Sequence, residues 1–242
     1  MNNIIFITGA SSDIGIQLIR SLTEECLIIA HYNTSLAPLT EVSKEISNVL
    51  IPIQADLASE SEVCNLLDYV EENYGVPNKI VHLAAAKFEN VRFKDIEWPK
   101  FQDEILLSLK SVILILNRFL PKLAKEKRGK VILMLSSVTI NVPPKALVQY
   151  TTVKYALLGL MKSLASEYAD KGININAISP SMIETKFLSL INEKFVEISA
   201  ASNPMKRNAT VNDVIPVMLL LLSDESQYIN GINIPITGGS IF

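Results

Sequence analysis

The chain has 242 residues, enough for one large domain with a sizeable core, and with 49% of them hydrophobic and 19% charged it is not a disordered chain. A formal net charge of -3 argues against nucleic acid as its main partner. The two cysteines, Cys26 and Cys64, have neither metal-ligand spacing nor a disulfide framework, which fits a reducing compartment.

The chain opens on Met1 to Ile7 without a basic region and runs directly into a strand pattern, so no secretory leader is expected. The longest apolar stretches are Val214 to Leu222, too short to cross a membrane, and Ile105 to Leu120, which Lys110, Asn117 and Arg118 interrupt. A cytoplasmic location and no membrane partner are the expectation. In chain order, β-branched runs fall at Ile4 to Thr8, Leu27 to His31, Val49 to Gln54, Ile80 to Leu83, Val131 to Leu135, Ile173 to Ile178 and Ile232 to Ile236. Between them Ile14 to Glu25, Ser61 to Asn73, Asp103 to Lys127 and Tyr150 to Asp170 carry apolar residues at three and four spacing, as crossover helices do. This alternation predicts an α/β fold, a single doubly wound, Rossmann-like domain over residues 1–242 with seven parallel strands and helices on both faces. No repeat or linker divides it, and the irregular stretch 181–210 reads as a lid over a substrate.

The first strand is followed at once by Thr8-Gly9-Ala10-Ser11-Ser12-Asp13-Ile14-Gly15. Gly9 permits a tight turn, Gly15 lets the helix pack close to the strand, and the backbone N–H groups of Ser11, Ser12, Asp13 and Ile14 face a pyrophosphate at the helix start. With this spacing the chain resembles the short-chain dehydrogenase/reductase family, and the likeness extends over its whole length. Asp13 replaces the family's usual Gly or Ala and is read as a helix-start residue turned away from phosphate. The resemblance implies that Asp56 and Leu57 meet the adenine, although Asp56 also fits a helix cap, and that Ala84 and Ala85 form the turn after the fourth strand, where His82-Leu83 replaces an Asn pair. At the end of the second strand Tyr32 and Asn33 stand where a carboxylate would select NAD, so NADP(H) is expected, with NAD(H) as the alternative.

Ser137, Tyr150 and Lys154 keep the family's spacing, and the last two share one helix face. The resemblance makes Tyr150 the general acid toward a carbonyl oxygen and Ser137 a hydrogen-bond donor to it. Lys154 would draw the phenol's pKa down and hold the nicotinamide ribose. Ser136 is the rival serine; spacing to Tyr150 favours Ser137. Ser108 stands at the family's catalytic Asn and is expected to hold a water or to bond back one turn. Pro180, Ile183 and Thr185 match positions near the carboxamide and phosphates, and Phe187, Leu188, Leu190, Ile191 and Phe195 form the apolar face of the lid.

His31 and His82 lack neighbours at ligand spacing, so no metal is expected. Trp98 is expected to pack at the start of the long helix. Lys125, Lys127, Arg128 and Lys130 suit a helix C-terminus, and with Lys171 they also match the positions at which 3-oxoacyl thioester reductases meet acyl carrier protein. Ile105, Leu106, Leu109, Val112, Ile113, Leu116, Leu157, Leu160 and Leu164 exceed what a core needs, which points to a homotetramer or homodimer. The expected function is hydride transfer between NADP(H) and a small-molecule ketone or secondary alcohol, with a 3-oxoacyl thioester as one candidate. The alternatives are a nucleotide-binding scaffold or sensor and an NAD-dependent alcohol or sugar dehydrogenase.

Overall fold

The computed structural model describes residues 3–86, 89–186 and 193–241. Seven strands, β1 (Ile4–Thr8), β2 (Leu27–Tyr32), β3 (Val49–Gln54), β4 (Lys79–His82), β5 (Gly129–Met134), β6 (Ile173–Pro180) and β7 (Asn233–Ile236), form one wholly parallel sheet in the order β3-β2-β1-β4-β5-β6-β7. The strand order reverses between β1 and β4, which opens a crevice at their C-terminal ends, the place where doubly wound sheets bind ligands.

Every residue of β1 is buried, as expected for a central strand covered on both sides. Its period of two divides the core. Phe6, with Ile29, Ile80, Val131 and Ile175, packs toward α3 (Glu60–Tyr74), α5 (Ser111–Glu126) and α6 (Val148–Glu167), and the Phe6 ring meets Phe119 edge-on at 6.4 Å between centroids. Ile5 and Ile7, with Ile28, Val81 and Ile132, pack toward α1 (Asp13–Ser21), α2 (Ala37–Ser43) and α8 (Val211–Leu222). Each fully buried aliphatic side chain contributes about 1.5–3 kcal/mol by leaving water.

All seven expected strands form, with edges moved by one or two residues. The long helix expected over 103–127 begins earlier, as α4 (Trp98–Ile105), and passes into α5 through one π turn, Leu106–Lys110. There the Ser111 amide reaches back five residues to the Leu106 carbonyl, while the Ser111 hydroxyl takes the Leu107 carbonyl at 2.5 Å. The hydroxyl that bonds back one turn is therefore that of Ser111, not Ser108. Helix α7 (Glu193–Ser202) follows β6. Phe187, Leu188, Leu190 and Ile191 lie outside the described residues, and Phe195 on α7 is exposed. Trp98 packs as the first residue of α4, edge-on to Phe101, with most of its surface in solvent. Among the described residues no helix is long and apolar enough to cross a membrane, and no His, Cys, Asp or Glu cluster is suited to a metal.

Candidate active site

The crevice begins with the turn from β1 to α1. Gly9 has φ +64, and a Cβ there would lie 2.9 Å from the Ala84 amide nitrogen; a Cβ on Gly15 would lie 2.4 Å from the Ala10 carbonyl oxygen. Only glycine fits either place. The Ser12 hydroxyl caps α1 by accepting from the Gly15 amide at 3.2 Å. The Gly9 and Ala10 amides are held by the ring and the carbonyl of His31, at 3.1 and 2.9 Å. The amides of Ser11, Asp13 and Ile14 are left without an acceptor among the described residues, at the positive end of a helix dipole. Free amides over a glycine floor fit a dinucleotide diphosphate.

Asp13 is the first residue of α1, and its carboxylate accepts the Lys186 amide at 2.6 Å, tying the loop to the segment that follows β6. Thr185 lies beside that tie, with its hydroxyl toward the Ile183 carbonyl at 3.4 Å; Ile183 is buried and bridges to Ala209, and Pro180 ends β6. At the outer end of the crevice Tyr32 is half-buried and Asn33 is exposed, its carbonyl accepting from Gln54 at 2.8 Å. Asp56 caps its own turn by accepting the Ala58 amide at 2.9 Å, while the Leu57 side chain is in the core, leaving only its backbone available to a ligand. Ala84 and Ala85 line the turn after β4, half-buried.

Tyr150 and Lys154 stand one turn apart on α6, with the Lys154 ammonium 5.5 Å from the centre of the Tyr150 ring and donating to the Met134 carbonyl at 2.7 Å. Lys154 is almost wholly buried, which pushes its ammonium down to about 8, against an upward pull from Glu104. Burial pushes the Tyr150 phenol up, and the group that draws it down is the Ser136 hydroxyl, its side-chain hydrogen-bond partner. The hydroxyl that bonds Tyr150 is that of Ser136, the rival serine of the sequence reading, which is extended (φ -163, ψ 155) just past β5 and caps the 3-10 turn that Ser137 opens. Burial is the largest influence on both members of the pair, raising the phenol and lowering the ammonium.

Ser108 is buried in the π turn, where its carbonyl accepts from Nε2 of His82 at 3.1 Å. Glu104, one turn earlier, is close enough to bear on the ionisation of both Tyr150 and Lys154, and burial raises its own carboxyl. Glu104 and the two histidines were missed in the sequence. For the histidines the signal was a polar side chain in the last residues of an apolar strand, whereas Glu104 follows Gln102 and Asp103 and nothing local marks it.

Over residues 9–240 the chain matches the family described as enoyl-(acyl carrier protein) reductase. It is 29% identical over 246 residues to a 3-oxoacyl-[acyl-carrier-protein] reductase of Staphylococcus epidermidis, covering 99% of both chains. Its identity to the enzyme of that name from Buchnera aphidicola is 27% over 239 residues, covering 98% of this chain and 96% of the other. The fold matches a gluconate 5-dehydrogenase from Burkholderia cenocepacia, solved in complex with NADP and tartrate, with a TM-score of 0.89 at 20% identity over 99% of this chain and 95% of that one.

Proposed function

Because this chain belongs to the short-chain dehydrogenase/reductase family and is an NAD(P)-dependent oxidoreductase acting on ketone and CH–OH groups, we propose that it is an NADPH-dependent reductase of a 3-oxoacyl thioester or a related ketone. The observation that carries this reading is Tyr150, paired with the Ser136 hydroxyl and stacked near the Lys154 ammonium at the mouth of the strand-order reversal. Bound NADPH supplies the hydride.

The chain's own residues would do the rest. The free amides of Ser11, Asp13 and Ile14 would hold the diphosphate, and neutral Tyr32 and Asn33 would admit a 2'-phosphate where an acid would repel it. Tyr150, its phenol pushed up by burial, keeps its proton at neutral pH and gives it to the carbonyl oxygen; Ser136 donates a hydrogen bond to that oxygen as charge develops. Lys154, anchored on the Met134 carbonyl, keeps its remaining donors for the ribose and the phenol. The segment 181–210 would close over the substrate.

The two curated relatives support the thioester substrate by name, and Arg128 and Lys171, at the edge away from the crevice, support acyl carrier protein as the carrier. Ile113 on α5 and Tyr155 on α6 remain exposed, at 42% and 45%, although Val112, Leu116 and Leu157 are consumed by the core; this supports a homotetramer or homodimer.

The test is fluorescence titration with NADPH and NADH, with Tyr150→Phe assayed beside wild type on ketones, 3-oxoacyl thioesters and enoyl thioesters. The expected result is tighter NADPH binding and a loss of about 10²- to 10⁴-fold in turnover of the 3-oxo substrates in the variant, with binding retained. Turnover confined to enoyl thioesters, or no binding of either nucleotide, refutes the reading.

A further inference from the structure

We propose that the cavity at the N-terminal edge of β4, β5 and β6 is a binding site for a small phosphate-class oxyanion, formed by Lys79, Lys127, Arg128 and Lys130. It lies at the opposite end of the strands from Gly9, Tyr150 and Lys154, outside the hydride-transfer crevice, and of its four cations only Arg128 also enters the proposed carrier-protein contact.

Lys79 on β4 and Lys130 on β5 are direct register partners, and each is only 8% exposed. Like charges side by side on a sheet repel, and a buried ammonium is costly without a counter-charge. Lys79 has one, the Glu24 carboxylate at 2.9 Å. Lys130 does not: its ammonium donates to two neutral oxygens, Asn174 Oδ1 at 2.9 Å and Ser226 Oγ at 3.1 Å, and it makes no ion pair among the described residues. Burial pushes that ammonium below its ordinary range, with Asp224 pulling the other way.

Beside these two lysines is a cavity of about 280 Å³. The turn from α5 to β5 passes through Lys127 in the left-handed conformation (φ 52) and so brings Lys127 and Arg128 into the same wall. Four cations then line the recess against two carboxylates, Asp224 in the lining and Glu24, which pairs with Lys79, so the balance among these groups stays positive. The negative end of α5 explains the basic character of Lys127 and Arg128, but not lysines on two adjacent strands. A net positive charge of this size in a recess favours an anion with more than one negative charge, and the Arg128 fork with three ammonium groups offers the donors a phosphate takes. A recess of this volume admits a phosphate or a phosphate ester and excludes a folded partner's helix, which sets it apart from carrier-protein docking on the outer surface.

The experiment is calorimetric titration with inorganic phosphate and with pyrophosphate, at ionic strength held constant with sodium chloride, with and without saturating NADPH. Wild type is compared with the surface double variant Lys127→Ala/Arg128→Ala and with Lys130→Met, which removes the buried charge while keeping volume. The expected result is saturable one-to-one binding that persists with NADPH present and is weakened at least about tenfold in the double variant and in Lys130→Met. No saturable binding by wild type, or unchanged binding in the double variant, overturns the proposal. Unchanged binding that NADPH abolishes would assign the anion to the nucleotide crevice. Neither substitution touches that crevice, so the titration is readable whether or not the reductase reading holds.

Discussion

The Nε2–H of His82 donates to the carbonyl oxygen of Ser108 across 3.1 Å, and Nδ1 on the other side of the ring lies 2.9 Å from the Thr8 hydroxyl. Because a carbonyl only accepts, the tautomer is set, and Nδ1 must accept from Thr8. The Thr8 oxygen in turn takes the amides of Leu83 and Ala84 at 3.2 and 3.3 Å. One buried imidazole thus joins the end of β1 under the nucleotide loop to the π turn beside Tyr150. His82→Leu strands the Ser108 carbonyl and the Thr8 hydroxyl, and the expected loss is about 1–3 kcal/mol for each, read from the midpoint of urea unfolding. A midpoint equal to that of wild type would refute the bridge.

The same residue sets an acid limit. Burial holds the His82 imidazole down at about 3, against an ordinary 6.5, with the Lys154 charge acting in the same direction. Between those two values the unfolded chain takes up a proton that the folded chain refuses, so stability falls as pH falls from about 6.5 toward 3. His31, also pushed down by burial, adds to this slope. In His82→Asn the dependence over this window is expected to be shallower, and parallel curves for the two proteins would disprove it.

Ser136 and Ser137 are adjacent, and the Ser136 hydroxyl hydrogen-bonds the phenol. Ser136→Ala is expected to lower kcat by about 10²-fold, the cost of one donor to a developing oxyanion, while Ser137→Ala stays within a few-fold of wild type. Steady-state assays on the same ketone distinguish them; the reverse order would return the role to Ser137.

Lys154 titrates in the opposite range. Its folded value of about 8 lies below the ordinary 10.5 because of burial. Between those values the unfolded chain holds a proton that the folded chain has released, so this group makes stability rise as pH rises through the window, and its effect levels off below about 8. The unfolding free energy of wild type minus that of Lys154→Met, followed from pH 7 to 11, is expected to climb; a flat difference would contradict the shift.

Gly15→Ala places a methyl group 2.4 Å from the Ala10 carbonyl oxygen, against backbone that has no flexible end to move. The expected cost is about 1–3 kcal/mol of stability, accompanied by weaker nucleotide binding, read from thermal unfolding with and without NADPH. Binding that weakens without any loss of stability would show that the contact is not built into the fold.

What the amino-acid order alone determined here is whatever repeats locally. The period of two in Ile4 to Ile7, the three-and-four spacing along α5, the glycines at 9 and 15 and the four-residue gap between Tyr150 and Lys154 each depend on neighbours within a turn or two, so the seven strands, the nucleotide loop and the phenol–ammonium pair are legible in the sequence itself. Tertiary structure decided what depends on residues far apart in the chain. Which serine meets Tyr150 depends on where β5 ends, not on a spacing of thirteen. The Asp13 carboxylate finds its partner at Lys186, and His82 finds Thr8 and Ser108, separations of 173, 74 and 26 residues. The Lys79–Lys130 pair exists because β4 and β5 lie side by side. Composition and periodicity record which side chains are buried, whereas hydrogen bonding and charge depend on which buried groups face one another, and only the packed sheet brings those groups together.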